Sequence, residues 1–296
     1  MKCEFEMIEY FSKCVERYQE IAGVKNLKRV QSPFLDEKAL TDSDWQTTGD
    51  IRWDAAKVLM GIFYGARYCR WDLVYPTTRL TRYLTRWSRA HDKMLFRLVS
   101  YLWCTLEDTM SGFVGDAPDR LYLQHAIDAD HGGDVLDIKA TSGGHLVLKG
   151  PHTAFPLLKI CKKQTCSSNG STEAEVVSLS WCMRMDALPM VLLWETLLNR
   201  RIRILVLEDN IGTIQAIENG YSPALRHLPK TQKTSLDFLN YLIHICKLVD
   251  IEYVATELQI ADIFTKAVKV ADWAKACHLL GICHSEWLEW KRRGEK

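Results

Sequence analysis

From Leu121 onward the hydrophobic pattern of the chain changes period repeatedly, and this alternation most narrows the folds open to it. Leu121 to Asp128 reads as a strand. Thr141-Ser142-Gly143-Gly144 reads as a turn, and His145 to Leu148 as a second strand. Ala154 to Lys163 gives a third strand, weakened by Pro156. A long helix is predicted from Thr172, with Ala174, Val177, Trp181, Met185, Leu188 and Leu192 at helical spacing and a kink or break at Pro189. Arg203 to Leu207 is an aliphatic, β-branched strand, and Ile211 to Asn219 a short helix. Gln232 to Val249 is a longer helix, Ile251 to Val254 a fifth strand, and another helix begins near Leu258. The order β, β, β, α, β, α, β, α describes an antiparallel meander feeding crossover helices. That implies an α/β fold with a mixed five-stranded sheet and flanking helices.

The first hundred residues read differently. Helices are predicted over residues 4–21, ending before Gly23, and over Trp53 to Tyr68, with Ala56, Leu59, Met60, Phe63 and Tyr64 on one stripe. Two more follow over Thr77 to Trp87 and His91 to Cys104. The expected organisation is a mostly helical region over 1–112, an α/β domain over 113–270 and a helical tail over 271–296.

The composition, 47% hydrophobic and 25% charged, suits a packed core and argues against wholesale disorder. The net charge of +1 leaves nucleic-acid binding to local patches. Ten scattered cysteines without a CxxC pair suggest reduced thiols rather than a disulfide framework. The acidic start has no apolar signal region, and no run looks close to the ~20 apolar residues of a membrane helix. The expected location is cytoplasmic or nuclear, with neither secretion nor a membrane partner.

Four acids fall where strands end or helices begin: Asp128, Glu175, Asp209 and Asp262. One sheet can gather such distant positions. Clustered carboxylates repel unless a cation neutralises them, and Mg²⁺, a hard ion, prefers oxygen ligands. Bland readings stand beside this one. Thr172 and Glu175 match a capping box, Asp209-Asn210 an N-cap, and Asp262 a first-turn acid facing a helix dipole. Asp130 and Asp134 read as loop acids, and Glu173 as a dipole partner of the long helix.

The local words carry a more specific likeness. Asp128-Ala129-Asp130 with Thr141-Ser142-Gly143 resembles the first motif of copia-type retrotransposon RNase H. Lys162-Lys163-Gln164-Thr165 with Ser171-Thr172-Glu173-Ala174-Glu175 resembles the second. Glu208-Asp209-Asn210 with Ala216-Ile217 resembles the third, and Gln259-Ile260-Ala261-Asp262-Ile263-Phe264-Thr265-Lys266 the fourth. Upstream, Val15 to Tyr18 through Lys28 to Phe34 resembles the stretch just beyond the polymerase palm of the same polyprotein's reverse transcriptase, and Gly65 to Tyr75, Thr81 to Thr85 and Tyr101-Leu102 resemble its thumb and connection. The chain departs from the family at His131, where tryptophan is usual, at Ser167 to Gly170, and at Pro189. The polymerase's YxDD word is absent.

The resemblance implies an RNase H-like fold preceded by a thumb and connection remnant. It implies Asp128, Glu175, Asp209 and Asp262 as catalytic, metal-binding acids holding two Mg²⁺ or Mn²⁺ ions, with no small-molecule cofactor. The implied reaction is hydrolysis of the RNA strand of an RNA–DNA hybrid, with the remainder of a reverse transcriptase as a possible partner. The alternative is an inactive nucleic-acid-binding relic or a fragment. His227 and His244 are distant candidates for a catalytic histidine.

Between Arg67 and Arg97 lie eight basic side chains against two acidic ones, with Tyr68, Trp71, Tyr75, Tyr83 and Trp87 interleaved. Arg67, Arg70, Arg79, Arg82, Arg86 and Arg89 are thus candidates for phosphate contact, with buried aromatics and a solvated face as the plainer reading. Lys162 and Lys163, with Arg226, Lys230 and Lys233, form a second candidate set. Cys277-His278 and Cys283-His284 fit no common zinc spacing. Lys291-Arg292-Arg293 reads as a solvated tail.

Overall fold

A computed structural model describes residues 1–131 and 138–283. Asp134, His284 and Lys291-Arg292-Arg293 therefore lie outside the described residues. In chain order the strands are β1 (Lys2–Phe5), β2 (Thr109–Phe113), β3 (Tyr122–Asp130), β4 (Thr141–Gly150), β5 (Thr153–Lys163), β6 (Ile204–Glu208), β7 (Val249–Tyr253) and β8 (Ile282–Cys283). The α-helices are α1 (Ile8–Ala22), α2 (Asp42–Gln46), α3 (Ala55–Tyr68), α4 (Val74–Thr81), α5 (Arg89–Cys104), α6 (Ser171–Cys182), α7 (Leu188–Leu198), α8 (Ile211–Glu218), α9 (Leu228–Thr231), α10 (Leu236–His244) and α11 (Val270–Leu279). The chain divides into two compact units, one of residues 3–111 with 267–283, the other of Met1–Lys2 with Gly112–Lys266. The ten cysteines form no disulfide among the described residues.

The first unit is a helical assembly in which α1 packs on α3 and α5, and α4 on both of those. Gly23 closes α1 in the left-handed region at φ 64°, where glycine avoids the Cβ clash. The core face of α3 is Ala55, Val58, Leu59, Ile62 and Ala66. Met60 and Tyr64 of the expected stripe point to solvent, so the true face lies a fraction of a turn away. Arg70 is buried at the centre. Its guanidinium donates to both Asp72 oxygens, at 3.0 and 2.8 Å, and to the Thr105 carbonyl and hydroxyl. Tyr101 Oη donates to Asp72 at 2.9 Å and accepts from Trp273 Nε1 at 3.1 Å.

This network corrects the expected basic face. Arg70 holds an internal carboxylate and is closed to phosphate. Arg79 is tied to Glu37. Of the interleaved aromatics, Trp71, Tyr75, Tyr83 and Trp87 are buried and offer no stacking platform, whereas Tyr68 is exposed. Arg67, Arg86 and Arg89 remain exposed and Arg82 half-buried.

In the second unit the order across the sheet is β5-β4-β3-β6-β7. β5, β4 and β3 run antiparallel, and β6 and β7 run parallel to β3. This is the expected mixed α/β sheet, consistent with an RNase H-like fold. β3 and β4 pair without a break from Tyr122↔Lys149 to Asp130↔Thr141. The Gly-Gly pair predicted to turn therefore sits inside a strand. A side chain at Gly143 would collide with Thr265 and lie 2.9 Å from the Ala261 carbonyl oxygen, and one at Gly144 would crowd His125, Ile160 and Cys182. Glycine serves here to let other groups approach the strand. Pro156 pairs with Val147 next to a register shift, a bulge that tolerates its missing N–H.

The long helix also differs from expectation. It is not broken at Pro189. A π-helical turn over Met183–Ala187 joins α6 to α7, and Pro189 falls in the first turn of α7, where its missing donor costs least. The buried side is Ala174, Val176, Leu179, Cys182, Met183, Ala187 and Val191, whereas Met185 and Leu192 are exposed. By length and composition this 28-residue run, Ser171–Leu198, could cross a membrane, contrary to the sequence expectation. Its inner side nevertheless packs into the sheet's core, as a core helix does. The helix expected near Leu258 is two short 3₁₀ turns, Thr256–Leu258 and Ile260–Phe264.

Two stability measurements follow. Arg70→Met strands Asp72 in the interior and is expected to destabilise the first unit by about 3–5 kcal/mol in urea denaturation. Gly143→Ala forces β4 away from the Ala261–Thr265 segment and is expected to cost about 1–3 kcal/mol in the second.

Candidate metal centre

Asp128 lies near the end of β3, opposite Gly143, and is buried. Its Oδ2 accepts from Thr265 Oγ1, and its backbone carbonyl accepts from Ser178 Oγ at 3.0 Å. Thr265, just after the Ile260–Phe264 turn, and Ser178 of the crossover helix α6 thus fix it from two sides.

Glu175 comes from the start of α6. Gly170 is the N-cap residue there, and the Thr172–Glu175 capping box does not form. Glu173 serves the helix entry instead, accepting from Asn169 N at 3.0 Å and from Gln232 Nε2 at 3.3 Å. Glu175 is left free to turn inward, where its Oε2 is buried without a hydrogen-bond partner. Asp209 follows β6 and accepts from Thr256 Oγ1 at 2.8 Å. The cap of α8 is Asn210, whose Oδ1 accepts from Thr213 N at 3.1 Å, so Asp209 is not spent on capping.

These elements bring one oxygen of each of Asp128, Glu175 and Asp209 within 4.8 Å of one another. Asp262 is not in that group. It sits in the Ile260–Phe264 turn, and its Oδ1 pairs with Lys266 Nζ at 2.7 Å. The three clustered acids, Asp130, His131 and Lys266 line one cleft. No metal cluster other than this trio occurs among the described residues.

Burial sets the electrostatics. Desolvation, reinforced by Asp128, pushes the Glu175 carboxyl well above the usual carboxylate range. Asp128 is raised by its own burial, against the pull of Lys266 and Thr265. Asp262 is raised to about 7 by burial and by Asp128, with Lys266 opposing. Lys266 is itself raised, the acids outweighing its desolvation. Such groups disfavour joint ionisation until positive charge arrives.

Three residues without an assigned sequence role shape the site. Glu208 at the end of β6 is fully buried, with Oε1 accepting from Asn210 N at 3.1 Å and Oε2 unpartnered. Its signal was an acid closing an otherwise aliphatic strand. Gln164 Nε2 donates to Ser142 Oγ at 3.1 Å and the Ala174 carbonyl at 2.8 Å, tying β4 to α6. Gln259 Nε2 donates to the Ile127 carbonyl at 3.0 Å, fastening the Asp262 segment beside β3.

Other candidates lie apart from this cleft. Lys162 places its ammonium 4.2 Å from the Trp181 ring centre, and Arg226, Lys230 and Lys233 are exposed. His227 is 3.3 Å from Glu173, and His244 is 2.9 Å from Glu218. Cys277 is buried against Tyr101, a packing role rather than a zinc ligand's.

The fold and the trio define a cluster of carboxylates on a mixed α/β sheet that could hold a metal ion. No protein-family model matches the chain. A stretch of 171 residues is 27% identical to the retrovirus-related Pol polyprotein from transposon TNT 1-94 of Nicotiana tabacum, covering 56% of this chain and 12% of that polyprotein. The chain thus corresponds to a small part of its relative, and the likeness supports a copia-type retrotransposon origin.

The shifts fix a pH dependence. A carboxyl whose folded pKa is raised contributes stability that is present below its unfolded value and lost as pH rises through the folded one. For Asp262 that window runs from 3.8 to about 7. Metal-free protein in EDTA is expected to show a falling urea midpoint between pH 5 and 8. Asp128→Asn, with one buried charge fewer, is expected to show a smaller fall.

Proposed function

We propose that the unit centred on residues 113–270 is a retrotransposon RNase H that hydrolyses the RNA strand of an RNA–DNA hybrid, and that residues 1–112 are a reverse-transcriptase thumb and connection remnant. The observation that carries this reading is the convergence of Asp128, Glu175 and Asp209 from β3, α6 and the end of β6. The four sequence words and the polyprotein relative support the same reading.

The residues present fit divalent cations. The donors are carboxylate oxygens, the set Mg²⁺ and Mn²⁺ favour, and the unpartnered Glu175 Oε2 is a buried acceptor that a cation would satisfy. Asp128, Glu175 and Asp209 would hold the first ion, and Asp262 would complete a second site. When bound, such ions activate water and stabilise the oxygen that leaves the phosphodiester.

The protein's own part is to hold these acids still. Thr265 and Ser178 fix Asp128, Thr256 fixes Asp209, and Asn210 leaves Asp209 free by capping α8. Choice of RNA over DNA requires contact with the 2′-hydroxyl. Exposed Arg67, Arg86, Arg89 and Lys162, with the half-buried Arg82 and Lys163, remain the candidate phosphate contacts.

The test is cleavage of a strand-labelled RNA–DNA hybrid in Mg²⁺ or Mn²⁺. The expected result is cutting of the RNA strand alone, reduced by roughly two orders of magnitude or more in Asp128→Asn. Salt-sensitive binding of the hybrid by folded protein, with no cutting in either metal, would replace this reading with a binding module.

A further inference from the structure

Lys266 stands out among the residues that line the cleft, because it is the cation set among its acids. Its Nζ lies 2.7 Å from Asp262 Oδ1, one helical step away in sequence. It shares the cleft with Asp128, Glu175 and Asp209. The side chain is 41% exposed and that of Asp262 only 16%, so an incoming group can reach the ammonium while the carboxylate stays behind it. The neighbouring Thr265 is pinned by its bond to Asp128 and by its packing against Gly143. The root of Lys266 is therefore fixed beside the centre, and its four-carbon stem supplies the only freedom it needs.

Asp262 is the one acid of the four outside the close trio, and it is the one that Lys266 engages. A lysine ammonium is a compact point charge on a flexible stem, and phosphate oxygens are among its strong partners.

We propose that Lys266 is an exchangeable counter-ion: it neutralises Asp262 at rest and passes to a phosphate oxygen when a phosphodiester enters, releasing Asp262 for a second divalent cation. No bond is made or broken in this exchange; one ion pair replaces another. The inference rests on the reading of the trio as a divalent-cation centre, and what it adds is the part of Lys266, whose ammonium decides when Asp262 can take an ion. One ion binds to the resting protein, and the second binds with the substrate. Lys266 is thus a positioning residue acting through Asp262.

The test counts Mn²⁺ ions bound to the full chain by isothermal titration, independently of turnover. Wild type alone is expected to bind one ion. Lys266→Gln is expected to bind a second at least about tenfold more tightly than wild type does. Lys266→Arg keeps the charge and is expected to restore one-ion behaviour, which a merely structural role would not predict. Adding Asp262→Asn to Lys266→Gln is expected to remove the second ion. A 2′-O-methyl RNA–DNA hybrid, corrected for ions it binds itself, is expected to bring wild type to two. Equal counts and affinities in wild type and Lys266→Gln, with hybrid cleavage intact, would overturn the exchange and spare the metal centre. Absence of Mn²⁺ binding in every form would overturn the metal reading and the exchange together. Loss of cleavage with the expected counts would overturn the RNase H reading and leave Lys266 in its role.

Discussion

The register between β3 and β4 is the constraint on which the rest depends. Nine consecutive pairs fix it, and both strands are buried along nearly their whole length. Side chains alternate between faces, so a slip of one residue would send every one to the opposite side. Asp128 would leave Thr265, Gly143 would no longer face the Ala261–Thr265 segment, and His125 would lose its place beside Gly144. Hydrophobic burial by Leu123, Ile127, Leu146 and Leu148 makes that slip costly, so apolar side chains hold the charged ones in place.

Around that ladder the molecule holds an electrostatic conflict. Asp128, Glu175 and Glu208 are buried, and burial above all raises their carboxyl pKa values, with Asp128 adding to the rise at Glu175 and Glu208, so each prefers to be neutral. Near them Lys266 is a compensating cation. Buried unpaired charge is otherwise rare, and a fold that keeps it against its own stability keeps it for chemistry more often than for structure. The first unit makes the contrast plain. There Asp72 is equally buried, but Arg70 meets it with two hydrogen bonds and Tyr101 adds a third. That carboxylate is satisfied within the protein and has nothing left to offer a ligand.

Local apolar patterning made β3, β6 and β7 legible in the sequence, because a strand's period is written in its own residues. Positions governed by distant partners were not. Gly143 and Gly144 look like a turn locally; only Thr265, Ala261 and Cys182, far along the chain, give their reason for being glycine. The capping box at Thr172 and Glu175 was a sound local pattern, displaced by Asn169 and Glu173 because Glu175 turns inward. Arg70 was indistinguishable from its exposed neighbours, since charge spacing says nothing of burial. Of the four acids, the structure gathers Asp128, Glu175 and Asp209 and sets Asp262 on Lys266, a lysine that stood in the fourth sequence word without a role.

The π turn between α6 and α7 has a consequence for how this chain tolerates change. Adding one residue to an α-helix rotates everything beyond it by about 100°. A π turn confines such an addition to a single wide loop of backbone. Leu179 and Met183 before and within the turn, and Ala187 and Val191 at its end and beyond, keep facing the sheet. The turn works as a phase corrector. The correction is worth one residue: it lets Leu179 of α6 and Val191 of α7 reach the same core while Glu175 keeps its place at the head of α6.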